Sequence, residues 1–476
     1  VLHVFWTKRN DSQEAAFWLL VVALLPAVGI ALYLFFGITR IDRADRRIRA
    51  FRRADPSRTA PPDAPGGRFA ALLANLARFA PPADEAASPR NHAFDRLFPS
   101  AAPRAGNAVR LLRDGEEAYP AMMRDILAAK RTIRLQSFIL NGDATGRALL
   151  EALERKAREG VDVKILFDSF GSFRSYFSPA FLRFLFRRIP NFSLRPVSIW
   201  HPLQPWRFQL RNHRKLLVVD GETAYSGGVN ISDSNGPPDR VPPNRRIHDL
   251  HCRIEGPAVA DFTRAFLRDW SYRTGNPFAE CLAEGDLAPP RRAGTTTLRV
   301  IPGGPGDLAE APRKLFLAAA ATARASLVIA TPYFVPASDV ISALCMAAAR
   351  GVDVRVVVPE RNNHFYVDFA SRNCHSALLR AGVRIFRRAG PFSHTKALLV
   401  DGEWGVMGSS NCDLRSFRLN FELDFCFEGG PFLAQITRQL LHELERSREV
   451  TLREMEGRGV LAKCLSAACA LLTPVL

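Results

Sequence analysis

Residues 153–168 read LERKAREGVDVKILFD, and residues 345–360 read CMAAARGVDVRVVVPE. In each, a helical stretch is closed by a glycine, Gly160 or Gly351, and a β-branched strand begins at the next residue. The agreement extends upstream. A helix expected over Tyr119–Lys130 leads into TIRLQSFIL (Thr132–Leu140), and one over Arg313–Arg324 leads into SLVIATPYFVP (Ser326–Pro336). Strands alternating with helices at this spacing predict an α/β sheet. Two such units in one chain predict a pseudo-twofold pair with a site shared between them.

Each unit then reaches the same chemical pattern, NHRKLLVVDGETAYSGGVN (212–230) and SHTKALLVDGEWGVMGSSN (393–411). Both run His-x-Lys, four residues, Asp, six residues, a Gly-Gly or Gly-Ser pair and then Asn. One His-x-Lys-x4-Asp match is expected by chance in roughly one chain in a hundred; two in register within a longer repeat are far rarer. Residues i and i+2 of a strand share a face, so His213 sides with Lys215 and His394 with Lys396. Facing repeats would bring two imidazoles and two ammonium groups into one pocket. One imidazole can attack phosphorus and form a covalent intermediate while the other protonates the leaving oxygen. The lysines, the Asn230 and Asn411 side chains and donors around Gly228 and Ser409 would stabilise charge on the phosphate oxygens. No acidic cluster suits Mg²⁺, and neither a metal nor another cofactor is expected.

Composition sets the wider bounds. Of 476 residues 47% are hydrophobic, ample for a packed core, which excludes disorder for most of the chain. Collagen-like, disulfide-scaffold and many-span transporter classes are also excluded. The net charge of +18 implies an acidic partner, nucleic acid or an anionic membrane, or else reflects coding bias toward Arg. Only eight of the 65 basic residues are Lys, and two of these eight stand in the paired signatures. The eight cysteines form no CxxC pair or zinc spacing and read as reduced thiols, in keeping with a reducing compartment.

From Ala15 to Gly37 the chain carries no charge, with Trp18 and Tyr33 near the ends of the run. This predicts one transmembrane helix; a signal peptide and a buried core helix are the weaker alternatives. Residues 38–58 hold eight Arg against three Asp, which places the following chain on the cytoplasmic side and favours anionic phospholipid as the partner. The expected organisation is a membrane anchor with its Arg flank (1–54), a Pro- and Ala-rich linker (55–110) with a short helix at Phe69–Phe79, repeat one (111–285), a linker (286–300), repeat two (301–445) and a tail (446–476). The tail is expected to dock on the core or lie on the membrane. Between Phe170 and Phe208 stand eleven aromatics and six Arg. That mixture suits a lipid interface, whereas Phe181, Phe184 and Leu185 at i, i+3, i+4 suit a helix packed on the core.

The doubled signature resembles that of the phospholipase D superfamily. The full layout, from about Phe17 to Leu476 and including GSSNCDLRSFRLNFE, is similar to the bacterial cardiolipin synthase family. The resemblance implies two phospholipase D-like α/β repeats in a pseudo-twofold arrangement with an N-terminal transmembrane helix. It implies a phosphatidyltransferase at the bacterial inner membrane that uses phosphatidylglycerol, with no nucleic-acid partner. Its catalytic candidates are His213, Lys215, Asp220, His394, Lys396 and Asp401. Within these, His213 is the expected nucleophile and His394 the acid and base; Asp220 and Asp401 are expected to fix a turn rather than touch substrate. The family pattern also implies a carboxylate behind each histidine, matched by Asp249 and Glu422. Three departures stand out: Gln136-Ser137-Phe138 after the first strand, Gly228 in place of Ser, and His248 where Arg is common. The first is expected to alter head-group fit. His251, His364, His375 and His442 fit no signature and read as surface or core fillers. A phospholipase D releasing phosphatidic acid, a phosphodiesterase acting on nucleic acid and a non-catalytic scaffold are the alternatives. Retention of every His, Lys and Asn in both copies counts against the last.

Overall fold

The computed structural model describes residues 3–4, 12–37, 94–197, 209–237, 239–287, 291–304 and 310–471. In chain order the first half supplies strands β1 (Arg104–Arg113), β2 (Thr132–Ser137), β3 (Asp162–Phe167), β4 (Phe192–Pro196), β5 (Leu216–Val219), β6 (Thr223–Gly227) and β7 (Leu250–Glu255). The second supplies β8 (Thr296–Gly303), β9 (Ser326–Ala330), β10 (Asp353–Pro359), β11 (Arg384–Arg388), β12 (Ala397–Val400), β13 (Trp404–Gly408), β14 (Asn420–Glu428) and an added edge strand, β15 (Ser447–Val450). From edge to centre the order is β4-β3-β2-β5-β6-β7-β1 in one half and β11-β10-β9-β12-β13-β14-β8 in the other. The two orders are the same, and β1 pairs antiparallel with β8 to make one continuous sheet. The expected pseudo-twofold α/β architecture is therefore present.

The local reasons are those of the opening segments. Gly160 and Gly351 adopt φ of +96° and +89°, left-handed positions that end the helices Ala144–Arg158 and Ser338–Ala349 before β3 and β10. In the first half β2 pairs parallel with β3 and β3 with β4; in the second β9 pairs with β10 and β10 with β11. Covered by helices, β2 is buried at all six positions. That forces Arg134 inside, where its guanidinium meets Asp286 and Asp162, both at 2.7 Å. Removing one partner of such a buried pair costs about 3–5 kcal/mol.

Two expectations change. β1 begins at Arg104, inside the stretch assigned to linker, because it completes the central pairing with β8. The apolar run 15–37 is not one helix. It divides into Ser12–Leu24 and Pro26–Leu32 with a π-helical end to Gly37, and no described helix is long and apolar enough to cross a membrane. Leu25 leaves helical geometry before Pro26, which cannot donate a helix hydrogen bond. The segments fold back so that Trp18 meets Tyr33 at a 5.5 Å centroid distance, and Gly29 lies against the Val21 carbonyl. The tail takes the first of its two expected places: its helix Val460–Leu471 packs on the helix Phe365–Arg380 through Cys469 beside Val367 and Ala370. The Arg-rich flank, the helix at 69–79 and residues 198–208 lie outside the described residues. All eight cysteines are free thiols.

Candidate active site

Both signature histidines stand just before the central strands β5 and β12, and each is tied to the opposite half. Arg211 and Asn212 pair in parallel with Asn420 and Phe421, while Ile247 and His248 pair with Phe392 and Ser393. The backbone N–H of His213 donates to the Phe421 carbonyl (2.9 Å), and that of His394 donates to the His248 carbonyl (2.7 Å). One residue further along lie the carboxylates. His213 Nδ1 contacts both Glu422 oxygens at 3.0 and 3.1 Å, and His394 Nδ1 contacts Asp249 Oδ2 at 2.6 Å. The pairing is crossed: each half supplies the imidazole that the other half's carboxylate orients. With Nδ1–H donated to carboxylate, each Nε2 retains its lone pair.

The electrostatics favour neutral imidazoles. Burial, reinforced by Lys215 and Lys396, holds His213 well below its ordinary pKa, while burial and Lys396 bring His394 down to about 3. Lys215 falls to about 7 through burial and the Lys396 charge, and burial lowers Lys396 to about 8. Burial also raises Glu422; at Asp249 it is outweighed by Lys396 and His394, so Asp249 stays ionised. The lysines and carboxylates thus offset one another, and an entering phosphodiester brings one negative charge. At an effective dielectric of about 20, that charge about 5 Å from an imidazolium stabilises it by about 3 kcal/mol. Such a gain carries His394 toward the mildly acidic range.

The two copies build the carboxylate seat differently. Glu422 accepts from Ser409 Oγ (2.5 Å), Ser416 Oγ (2.8 Å) and Asn420 Nδ2 (3.2 Å). Where the second copy has Ser409, the first has Gly228, and a Cβ there would lie 2.1 Å from Asp249 Oδ1. The Gly-Gly departure thus makes room for the closer approach of the Asp249 carboxylate. The Gln136 departure is internal to the fold, since its amide donates to Asn212 (2.7 Å) and Asp269 (2.6 Å). His248 bridges Asp114 (2.8 Å) and Glu443 (2.7 Å); burial opposes its protonation, but these carboxylates prevail and lift it to about 9. A protonated His248 therefore does the ion-pairing work of an arginine.

Not every signature residue reaches this centre. Asp220 accepts the N–H groups of Lys130, Arg131 and Thr132, and Asp401 those of Arg324, Ala325 and Ser326. Each sits at the far end of its motif strand, clamping the entry to β2 or β9. Placing them among the catalytic candidates is therefore corrected to a turn-fixing role in the geometry. The Gly228 and Ser409 N–H groups donate to the Leu250 and Leu423 carbonyls, so these backbone donors are spent within the sheet. Asn230 Oδ1 accepts from Ile139 N–H, whereas Asn411 Oδ1 is buried without a partner among the described residues.

Sequence reasoning missed several neighbours. Phe138 lies edge-on to His213 at 4.9 Å and Tyr333 to His394 at 6.0 Å, on the segments that follow β2 and β9 but one residue out of register with each other. Arg214, fully buried, donates to the Glu422 and Gly303 carbonyls and to Asp269. The repeat alignment marks none of them: Phe138 falls opposite Pro332, Tyr333 opposite Ile139 and Arg214 opposite Thr395. Of the four unassigned histidines, His251 and His375 are buried and His442 lies beside Glu445. His364 instead stacks on Tyr366 at 5.4 Å and lies tilted to Tyr333 at 6.0 Å, at the rim of the site.

Known proteins share the two repeats and the fold. A family model described as "Cardiolipin synthase, PLD-like domain" matches residues 122–270 and 316–444, and one described as "Phospholipase_D-nuclease N-terminal" matches 1–37. The chain is 30% identical to a cardiolipin synthase of Alkalihalophilus pseudofirmus, covering 99% of this chain and 91% of that one. It is 31% identical to cardiolipin synthase A of Proteus mirabilis, covering 98% and 94%. A crystal structure of phosphatidylserine synthase from Haemophilus influenzae superimposes with a TM-score of 0.62 over 82% of this chain and 100% of that one, at 16% identity, a likeness of fold.

Proposed function

The chain belongs to the phospholipase D-like cardiolipin synthase family, and from that premise we propose that it transfers a phosphatidyl group between two phosphatidylglycerol molecules, releasing glycerol. The observation that carries this reading is the crossed pair of histidines, each held by the other half's carboxylate, with Lys215 and Lys396 beside them. His213 Nε2 attacks the donor's phosphorus, and the bond to the glycerol oxygen breaks as His394 gives that oxygen its proton. The hydroxyl of the second phosphatidylglycerol then loses its proton to His394 and attacks phosphorus; the phosphorus–nitrogen bond breaks and His213 is restored. Lys215, Lys396, Asn230 and Asn411 hold the non-bridging oxygens, and Glu422 and Asp249 fix the imidazole tautomers. The closer carboxylate contact at His394, 2.6 against 3.0 Å, supports it as the residue that alternates between charged and neutral forms.

The 1–37 segment and the Arg-rich stretch after it anchor the enzyme in the bacterial inner membrane, with the catalytic halves on the cytoplasmic side. Expression in cells lacking cardiolipin tests the reaction. Cardiolipin should accumulate with the native chain and vanish with His213→Ala and with His394→Ala. Phosphatidic acid alone would mean that water, not lipid, is the acceptor. A phosphatidyl ester of 4-nitrophenol needs no acid to leave, so His394→Ala should still release one equivalent of nitrophenol and trap lipid on His213. Trapping on His394 in His213→Ala would reverse the two roles.

A further inference from the structure

The loops after β3 and β10 occupy equivalent places in the two halves, and both expose phenylalanine. Phe170, Phe173, Phe177 and Phe186 are 58–76% exposed in the first, and Phe365 is 69% exposed in the second. Phe181 and Phe184, by contrast, are buried in the core of the first half, so the Phe-rich stretch divides into a packed side and a bare one. Phe173 and Phe177 touch one another at 5.3 Å, forming a patch rather than scattered side chains. A large aromatic left in water forgoes about 1.5–3 kcal/mol of burial, and such contiguous apolar surface marks a contact.

Both loops border the catalytic centre. Asp168, at the end of β3, accepts the N–H groups of Phe170 and of Asn212, the neighbour of His213. In the other half Asn363 accepts from the Tyr333 hydroxyl (3.0 Å), and Tyr333 packs on His394. Just inside the first patch the chemistry turns cationic: the Arg211 guanidinium stacks 4.1 Å over Phe170, and Arg415 donates to the Gln209 carbonyl close by. From Ser169 to Asn191 the chain carries four Arg and no carboxylate. Apolar lips outside and a cationic collar inside follow the order of acyl chains and phosphates in an anionic bilayer.

We infer that these two phenylalanine lips insert into the surface of an anionic phospholipid bilayer and seat the mouth of the site on it. The inference rests on the lipid-transfer reading above. It assigns the docking to the catalytic halves themselves, in addition to the N-terminal segment. A substrate phosphate then reaches the histidines while its acyl chains stay among neighbouring lipids.

The test uses the full chain reconstituted in phosphatidylglycerol-containing vesicles. A photo-crosslinking phenylalanine analogue placed at position 177 or 365 should form lipid adducts; one at Leu127, exposed at the opposite end of the strands, should form none. Phe173→Ser with Phe177→Ser should lower turnover of vesicle lipid at least tenfold, the effect expected from withdrawing even one such aromatic from the interface. Turnover of a short-chain phosphatidylglycerol dissolved as monomers should be unchanged. Absence of adducts at 177 and 365 while cardiolipin still forms would overturn the inference. So would equal losses on vesicle and monomeric substrate. Adducts at both lips without any phosphatidyl transfer would leave the docking in place and refute the proposed reaction.

Discussion

Gly228 and Asp249 show how one missing methyl group shapes the centre. Because a Cβ at 228 would fall 2.1 Å from Asp249 Oδ1, Gly228→Ser must displace the carboxylate that orients His394. A reacting group misplaced by about 1 Å costs on the order of 10²-fold in rate, so kcat should fall by about that factor. Adding Asp249→Ala should lower it little further, which a double-mutant comparison would read. The lysines set a pH limit at the same scale. Each is cationic below its own pKa, and burial has brought these to about 7 and about 8. Raising pH through that window removes charge needed on the phosphate oxygens. The kcat/KM profile, which reports the free enzyme, should therefore decline from near neutrality rather than near pH 10.

At the scale of elements, the two short crossed pairings place the chemistry. Ile247–His248 beside Phe392–Ser393 carries Asp249 to His394, and Arg211–Asn212 beside Asn420–Phe421 carries His213 to Glu422. Each pairing is braced by a buried cation, His248 between Asp114 and Glu443 in one and Arg214 on Asp269 and the Glu422 carbonyl in the other. His248→Ala should reduce kcat about tenfold, the usual cost of removing an outer orienting partner, with little change in KM. His248→Arg should restore most of it, which a purely space-filling role would not allow. Little of this was legible in the sequence. The strands, the Gly160 and Gly351 stops and the His-x-Lys face follow from local periodicity. Which carboxylate serves which histidine depends on two-residue strands joining positions 145 and 209 residues apart, and no local pattern encodes that. The apolar run 15–37 reads as one helix for a related reason: hydropathy counts residues and ignores that Pro26 can end one helix and start another.

For the whole molecule, the crossed carboxylates mean that neither half is an enzyme alone. Each would keep an imidazole without its orienting acid and an acid without its imidazole. The halves nevertheless need not be covalently joined once folded. β1 pairs with β8 across the centre, and one core cluster contains Val109, Phe262 and Phe266 from the first half with Leu298, Phe425 and Ile436 from the second. Each large side chain buried there contributes about 2 kcal/mol, so the shared core holds more than a loop does. A protease site placed between residues 287 and 291 and cut after folding should leave the halves associated and phosphatidyl transfer within about twofold of the uncut enzyme, a loss too small for a change in the packed interface. The halves expressed singly should be inactive. Mixing a half carrying Glu422→Gln with an intact first half should give the same deficit as Glu422→Gln in the whole chain. Loss of activity on cutting, with both fragments folded and still bound, would mean that the connection itself orders the site.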